Sequence, residues 1–347
     1  MTILNDLITA GWTGRAQRVT LVTVTYGNRW HLLSQVLASA FAEQVADAIV
    51  VSNGSRDNVA QLCLETYGER VSVVDLGRNT GSAPGFGAGL AQARRSNTDF
   101  ILILDDDNVL EPGGLRKLLD GHAAALAQRA GQPLIVLGFR PENQAEIAAG
   151  DTHRPLAANA FLGFHVKDIR RKLWSKIQRR FWARPQRAVP PVGLLDNAPY
   201  SGMLFRSSLL DEIGLPNPEF VLYADDTEFS YRVTRRGGQL LVITDARVTD
   251  VESSWNTRSR HRSAFDAWLS GGSDLGVYYA VRNRTCFERH YVKHAPWLRA
   301  VNRWIFFAVL KVMARQQGKQ KRLALLQEAV SDGEARRLGV RQGFELR

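Results

Sequence analysis

Phe100-Ile101-Leu102-Ile103-Leu104-Asp105-Asp106-Asp107-Asn108 passes directly from five apolar residues into three carboxylates. A short apolar run bounded by polar residues reads as a buried central strand. Three like charges at its tip repel one another and resist burial unless something positive binds there. A divalent cation is the usual solution, and oxygen-only ligands suit Mg²⁺ or Mn²⁺ rather than zinc. Open α/β sheets also place their ligands at the carboxyl ends of strands. The alternative is a solvated acidic turn, and the surrounding chain has to decide between them.

Upstream, the same pattern of strand, polar loop and helix repeats. Residues 19–25 form a β-branched run closed by Tyr26-Gly27-Asn28, and residues 30–42 then carry Leu32, Leu33, Val36, Leu37, Ala40 and Phe41 at helical spacing. Residues 48–51 and 71–76 read as further strands, and 59–67, 86–95 and 115–129 as helices. Four such alternations predict an α/β fold, a mainly parallel central sheet with helices on both faces. The polar loops then gather along one sheet edge.

A chain of 347 residues can hold about two domains, or one large α/β domain with an extension. Its 45 Lys and Arg against 34 Asp and Glu leave a net charge of +11. That excess favours anionic partners: nucleotide phosphates, nucleic acid or an anionic lipid surface. No ribonucleoprotein motif or zinc finger supports a nucleic-acid role. The two cysteines, Cys63 and Cys286, are far apart, which argues against a disulfide framework and for a reducing compartment. Residues 1–18 lack the pattern of a signal peptide. No apolar stretch approaches the roughly 20 residues of a membrane-spanning helix. The expected location is cytoplasmic, or peripheral on the inner face of the cytoplasmic membrane. Residues 167–187 hold nine basic residues against one acidic, interleaved with Leu173, Trp174, Ile177, Phe181 and Trp182. Such a helix is either interfacial, on anionic lipid, or an ordinary solvated surface helix. The run from Trp304 to Leu310, between Arg303 and Lys311, is too short to span and packs on the core or dips into lipid.

Other clusters are weaker. Gly81 to Gly89 holds four glycines but matches neither common phosphate-loop pattern, although a helix after it would present free N–H groups to an anion. His290 and His294 lack the spacing of a zinc protease, and no serine-hydrolase elbow occurs. Asp225-Asp226-Thr227-Glu228 precedes a helical run. Acids there oppose the helix dipole, and two adjacent carboxylates in a cleft also suit a base that takes a proton from a hydroxyl.

Seven segments in order resemble an inverting nucleotide-sugar glycosyltransferase of family 2 with the GT-A fold, over about residues 19–283. Thr23 to Arg29 resembles the first nucleotide-binding loop, and Ile49 to Ser55 the second strand and its turn. Arg78-Asn79-Thr80-Gly81 through Gly89 is similar to a loop of members using rhamnose or galactofuranose donors. Asp105-Asp106-Asp107 stands at the D-x-D-like metal motif, and Tyr200 to Phe205 at an acceptor-side glycine segment. Phe220 to Arg232 resembles the segment holding the catalytic base, and Tyr278-Tyr279-Ala280-Val281-Arg282-Asn283 a motif of the rhamnosyl and galactofuranosyl branch.

The resemblance implies a GT-A (Rossmann-like) domain over 19–285, with a nucleotide-sugar half (19–140) and an acceptor half (141–285). It leaves an N-terminal extension (1–18) and a helical, basic C-terminal region (286–347) in which a second copy could pair. Asp226 is implied as base with Asp225 in support. Thr25, Tyr26, Asn28, Arg29, Ser52, Asn53, Arg78, Asn79, Gly81, Asp105 and Asp106 are implied in donor binding. Tyr200, Ser201 and Gly202 are implied at the acceptor, and Asp105, Asp107 and Asp250 around Mn²⁺ or Mg²⁺. Two positions depart from the family pattern: Ser52 stands where Asp is frequent, and Asp250 where His is frequent. Arg258, Arg260 or His261 could serve the diphosphate instead of a metal-bound Asp250. The implied reaction takes a sugar of rhamnose, galactofuranose or galactose type from a UDP- or dTDP-linked donor. Its acceptor is a glycan or a polyprenyl-linked molecule of bacterial cell-surface polysaccharide synthesis. The alternatives are a nucleotidyltransferase acting on sugar phosphates and a non-catalytic basic binding protein.

Overall fold

The computed structural model describes residues 17–129, 131–167, 187–252 and 263–346. Strands β1 (Val19–Gly27), β2 (Asp47–Ser55), β3 (Val71–Asp75) and β4 (Phe100–Ile103) alternate with helices α1 (Trp30–Ala42), α2 (Val59–Tyr67) and α3 (Ser82–Arg95). The strands pair in parallel in the order β3-β2-β1-β4. Their residues are apolar on both faces because helices cover both. Leu21, Val50 and Leu102 pack with Leu33, Val36 and Leu37 of α1 on one side. Their neighbours Val22, Ile49, Ile101 and Ile103 pack with Phe86 and Leu90 of α3 on the other. Period-two alternation therefore feeds two cores from one sheet.

Helix α3 starts at Ser82, four residues before its expected start, because Pro84 in the first turn needs no N–H partner there.

After β4 come β5 (Asn108–Leu110), α4 (Gly114–Gln128), β6 (Leu134–Phe139), α5 (Ala145–Ala148), β7 (His153–Arg154), β8 (Val192–Leu195) and β9 (Met203–Arg206). Helices α6 (Leu209–Ile213) and α7 (Asp225–Arg235) lead into β10 (Gln239–Asp250). The full sheet order is β3-β2-β1-β4-β9-β6-β10-β8-β7, with β5 paired to β10. Strand β9 runs antiparallel between β4 and β6, and β8 antiparallel to β10, so the mainly parallel sheet includes antiparallel members. The β5–β10 ribbon sets Asn108 opposite Asp250, which draws the end of the acidic triplet to the end of β10.

Helices α8 (Ala264–Ser270), α9 (Asp274–His290), α10 (Pro296–Gln317) and α11 (Gln320–Glu334) complete the fold. They enclose a third core of Tyr278, Tyr279, Phe306, Leu310, Leu326 and Val330, which also takes in Val221 from the loop before α7. Helix α9 runs through the expected partition at 285/286. Among the described residues, no helix is long and apolar enough to cross a membrane.

Leu102 is fully buried at the centre of the sheet. Leu102→Ala is expected to lower the unfolding free energy by about 2–5 kcal/mol, read from urea denaturation.

Candidate active site

Near the end of strand β1 stands Thr25, whose buried hydroxyl donates to Asp106 at 2.7 Å. The next loop turns Arg29 back across the strand ends. Its guanidinium donates to Asp106 at 2.9 Å and to Asp107 at 2.9 Å, and reaches Glu252 at 3.4 Å. Burial works against the charge on Arg29, but the hydrogen bond and charge of Asp106, with help from Asp107, raise its pKa above the ordinary value. The Tyr26 ring lies 5.3 Å from that guanidinium and is itself 48% exposed, an open aromatic face at the cleft. Asn28 and Arg78 are also exposed.

Asn53 is spent internally. Its amide donates to the Gly81 carbonyl at 3.0 Å and accepts from the Thr80 N–H at 2.8 Å, so it braces the loop before α3. Asn79 caps the Gly81 N–H at 3.1 Å. Gly81 has φ +94°, and a Cβ there would stand 2.0 Å from the Val221 carbonyl oxygen. Only glycine lets this loop close on the loop before α7. Ser52 is buried within β2.

At the tip of β4 the three aspartates separate. Asp106 is 4% exposed and turns inward to Thr25 and Arg29; burial raises its pKa, opposed by both partners. Asp105 is pushed up to about 7, by burial first and then by Asp107, Asp106 and Asp226, against the pull of Arg140. Asp107 is paired to Arg29. Asp250 accepts from Arg140 at 2.6 Å and from Asn108 at 2.7 Å. Asn108 in turn accepts from the Ser201 hydroxyl. Tyr200 and Ser201, 4% and 1% exposed, are buried links between the triplet and α7, the ring of Tyr200 lying 4.3 Å from Phe86 and 5.9 Å from Phe229. Gly202 has φ +87° and bonds backbone to Ile103 and Gly138, fixing β9 beside the strand tip.

Among the described residues no three His, Cys, Asp or Glu side chains stand together as a ready metal cluster. The donor set of Asp105, Asp107 and Asp250 nonetheless fits a hard divalent cation, being oxygen-only. Asp105 is the group such a cation would relieve, because burial, and neighbouring negative charge after it, raises its pKa. Asp107 and Asp250 would exchange their arginine partners for the metal. Arg258, Arg260, His261 and Asp168 to Gln186 lie outside the described residues.

The second acidic pair enters on a strained loop. Val221 has φ 64° and ψ −68°, closed by a Leu222 N–H to Phe220 carbonyl bond of 2.7 Å, the geometry of a strained γ-turn. Tyr223 and Ala224 also have positive φ, 67° and 60°. Such conformations at non-glycine residues cost on the order of 1–3 kcal/mol each and persist only when their surroundings enforce them. Asn283 of α9 does so. Its buried amide donates to the carbonyls of Phe220 (2.6 Å), Leu222 (2.8 Å) and Tyr223 (3.0 Å). Its own oxygen accepts from Arg282 at 2.9 Å, and Arg282 is buried against the Tyr279 ring, 4.8 Å from its centre. Three residues in that tail motif therefore hold the loop that presents the acids.

Asp225 is 2% exposed and accepts from the Ser82 hydroxyl at 2.9 Å. Burial, then the charge of Asp226, pushes it up to about 7. Asp226 is half-buried and its pKa is raised by burial, opposed by the Thr227 N–H. That N–H reaches only Oδ1, at 2.6 Å, and among the described residues Oδ2 has no hydrogen-bond partner. Each acid therefore keeps one oxygen without a hydrogen-bond partner among the described residues, but that of Asp225 is buried whereas Asp226 is half-buried and reaches the cleft. Tyr200 stays protonated beside them, through burial and then the charges of Asp225 and Asp226.

The sequence profile of the family described as "Glycosyltransferase like family 2" matches residues 16–267. The chain belongs to this family. Within the glycosyltransferases it is 30% identical over 137 residues to the succinoglycan biosynthesis protein ExoO of Rhizobium meliloti (strain 1021), an alignment covering 38% of each chain. It is 26% identical over 223 residues to the galactofuranosyltransferase GlfT1 of Mycolicibacterium smegmatis (strain ATCC 700084 / mc(2)155), covering 63% of this chain and 66% of the relative. The chain therefore spans less than two thirds of either relative's length. Its fold is shared with a crystal structure of GalNAc-T7 with UDP, GalNAc and Mn²⁺, at TM-score 0.51 and 12% identity, over 80% of this chain and 49% of that one.

Within this glycosyltransferase frame, four residues escaped the sequence reading. Arg140 stands directly after β6, at the same sheet edge as the other loops, a placement visible only once the strand order is known. Ser82 lay inside the glycine cluster, and Glu252 just past β10. Asn283 lay in a quoted motif, yet its contact with residues about 60 positions earlier needed the fold.

Two outcomes follow from this geometry. Asn283→Ala is expected to destabilise the protein by about 1–3 kcal/mol through unsatisfied carbonyls, measured by urea unfolding, and to weaken turnover through the released loop. The raised pKa of Asp105 sets a sign for pH. Below about pH 4 both native and unfolded states hold its proton; between there and pH 7 only the native state does; above 7 the buried charge is fully formed. Its burial therefore destabilises increasingly as pH rises through that window. Asp105→Asn is expected to raise the melting temperature at pH 8 and to leave it nearly unchanged below pH 4, compared by calorimetry.

Proposed function

We propose that the protein transfers a sugar, with inversion, from a nucleoside diphosphate donor to a hydroxyl of a glycan or lipid-linked acceptor in cell-surface polysaccharide synthesis. The observation that carries this reading is the division of labour between two acidic groups at one sheet edge. Asp226 offers one free carboxylate oxygen, and Asp105 lies near enough to sense its charge. The relatives' names support a polysaccharide product and a furanosyl or related hexosyl donor. The GalNAc-T7 complex with UDP and Mn²⁺ supports a UDP-type donor and a divalent metal, as far as a shared fold can.

Asp226 Oδ2 would take the proton of the acceptor hydroxyl as its oxygen attacks the anomeric carbon, and the bond to the diphosphate breaks on the opposite side. A raised pKa suits that base, since proton affinity nearer neutrality improves transfer. Asp225, fixed by Ser82, would hold the start of α7 in place. Tyr26 and Arg29 would receive the nucleotide, with Asn79 and Gly81 shaping the donor loop. Arg29 and Arg140 would carry positive charge to the leaving diphosphate. A divalent cation, Mn²⁺ or Mg²⁺, held by Asp105, Asp107 and Asp250 would supply Lewis-acid stabilisation of the same phosphates.

Asp226→Asn should leave donor affinity in calorimetry within a few-fold and lower turnover by roughly 10²-fold or more. The assay is release of nucleoside diphosphate in the presence of acceptor. Turnover near the parent rate would remove Asp226 from the role, and release of pyrophosphate instead would point to nucleotidyl transfer.

A further inference from the structure

Helix α10 is apolar on the side that should be polar. Its inner stripe, Phe306, Leu310 and Ala314 with Asn302, is buried in the third core. A surface helix normally turns polar residues the other way. Here the outward positions are Trp297 and Trp304, 69% and 73% exposed, with Val301 and Val312, 40% and 56% exposed. At 3.6 residues per turn, positions 297, 301, 304, 308, 311, 312 and 315 fall on one side of the helix. They form a continuous face about five turns long, not scattered exposures. Beside Trp304 an open groove of about 430 Å³ runs toward α11, lined by Arg303, Phe307, Ala308, Lys311 and Gln327.

The charge along this part of the chain has one sign, although Arg303 beside the groove is paired with Glu334 of α11. From Arg289 to Gln327 the sequence holds nine Lys and Arg and no Asp or Glu. Lys311 and Arg315, both exposed, lie on the apolar face itself. Tryptophan pairs an apolar ring with an N–H and favours the boundary between hydrocarbon and water. Lys and Arg at the edge of such a face extend their stems along apolar material and put their charges among phosphates.

We propose that the outward face of α10 docks on an anionic lipid surface, with Trp297 and Trp304 at headgroup depth and Lys311 and Arg315 on lipid phosphates. A second copy of the chain is the less favoured occupant. A two-fold contact through this face would bring Lys311 and Arg315 toward their own equivalents with no acidic residue in the whole stretch to meet them. Docking here is independent of the basic segment at 167–187, and of the transfer chemistry.

The test is vesicle flotation of the full chain, using equimolar phosphatidylcholine and phosphatidylglycerol against phosphatidylcholine alone. The parent protein is expected to float with the anionic vesicles and to lose roughly tenfold or more of that binding on pure phosphatidylcholine or in high salt. The double variants Trp297→Ser/Trp304→Ser and Lys311→Glu/Arg315→Glu should each lose roughly tenfold or more on anionic vesicles. The blue shift of tryptophan emission on vesicle addition should shrink in the first variant. Unchanged flotation of either double variant, or no flotation of the parent, overturns the proposal. So does a parent dimer in sedimentation equilibrium that the tryptophan variant converts to monomer. If the tryptophan variant fails to fold, judged by its melting curve, the charge-reversal pair decides alone.

Discussion

Mutual repulsion among carboxylates at one sheet edge is the constraint around which this molecule is arranged. Asp105, Asp106, Asp107, Asp225, Asp226, Asp250 and Glu252 arrive there from three separate stretches of chain. In the described structure two arginines hold the set together. Arg29 bridges Asp106, Asp107 and Glu252, and Arg140 holds Asp250 while pulling on Asp105. Burial first, and neighbouring carboxylates after it, push Asp105 and Asp225 both up to about 7.

The second constraint is mechanical. Presenting Asp225 and Asp226 at the start of α7 requires a γ-turn at Val221 and two further positive-φ residues. None of these is a glycine, so the local sequence does not favour the loop. Its geometry is enforced from both sides. Gly81 comes too close to Val221 for any side chain, and the Asn283 amide gathers three of the loop carbonyls. The loop before α3, the acidic loop and α9 thereby meet, through the close approach of Gly81 to Val221 and the side-chain amide of Asn283. The C-terminal helices have a structural role in the site as well as an outward face of their own.

Much of this was legible beforehand. Residues 30–42 and 59–67 read as helices with the bounds they have, because apolar spacing there is regular and polar loops mark both ends. The strand at Phe100 and its acidic tip were equally plain. Less legible was the use made of individual polar side chains. Asn53, expected in donor binding, spends its amide on Thr80 and Gly81. Tyr200 and Ser201, expected at the acceptor, are buried joints between the triplet and α7. A side chain's type says what bonds it can make, and only its neighbours decide which ones it does make.

The sequence by itself determined the alternation of strand and helix, the two-faced sheet and the position of both acidic clusters, because periodicity and charge are local properties of the chain. Tertiary structure alone decided which acid is accessible. Asp225 and Asp226 are adjacent and chemically identical, and nothing local ranks them. Ser82, 143 residues away in sequence, holds one oxygen of the first and packing buries the other, while the second is half-buried with one oxygen unbonded. Hydrogen-bond partners are assigned by the packing of distant segments, and with them the chemistry each carboxylate can perform.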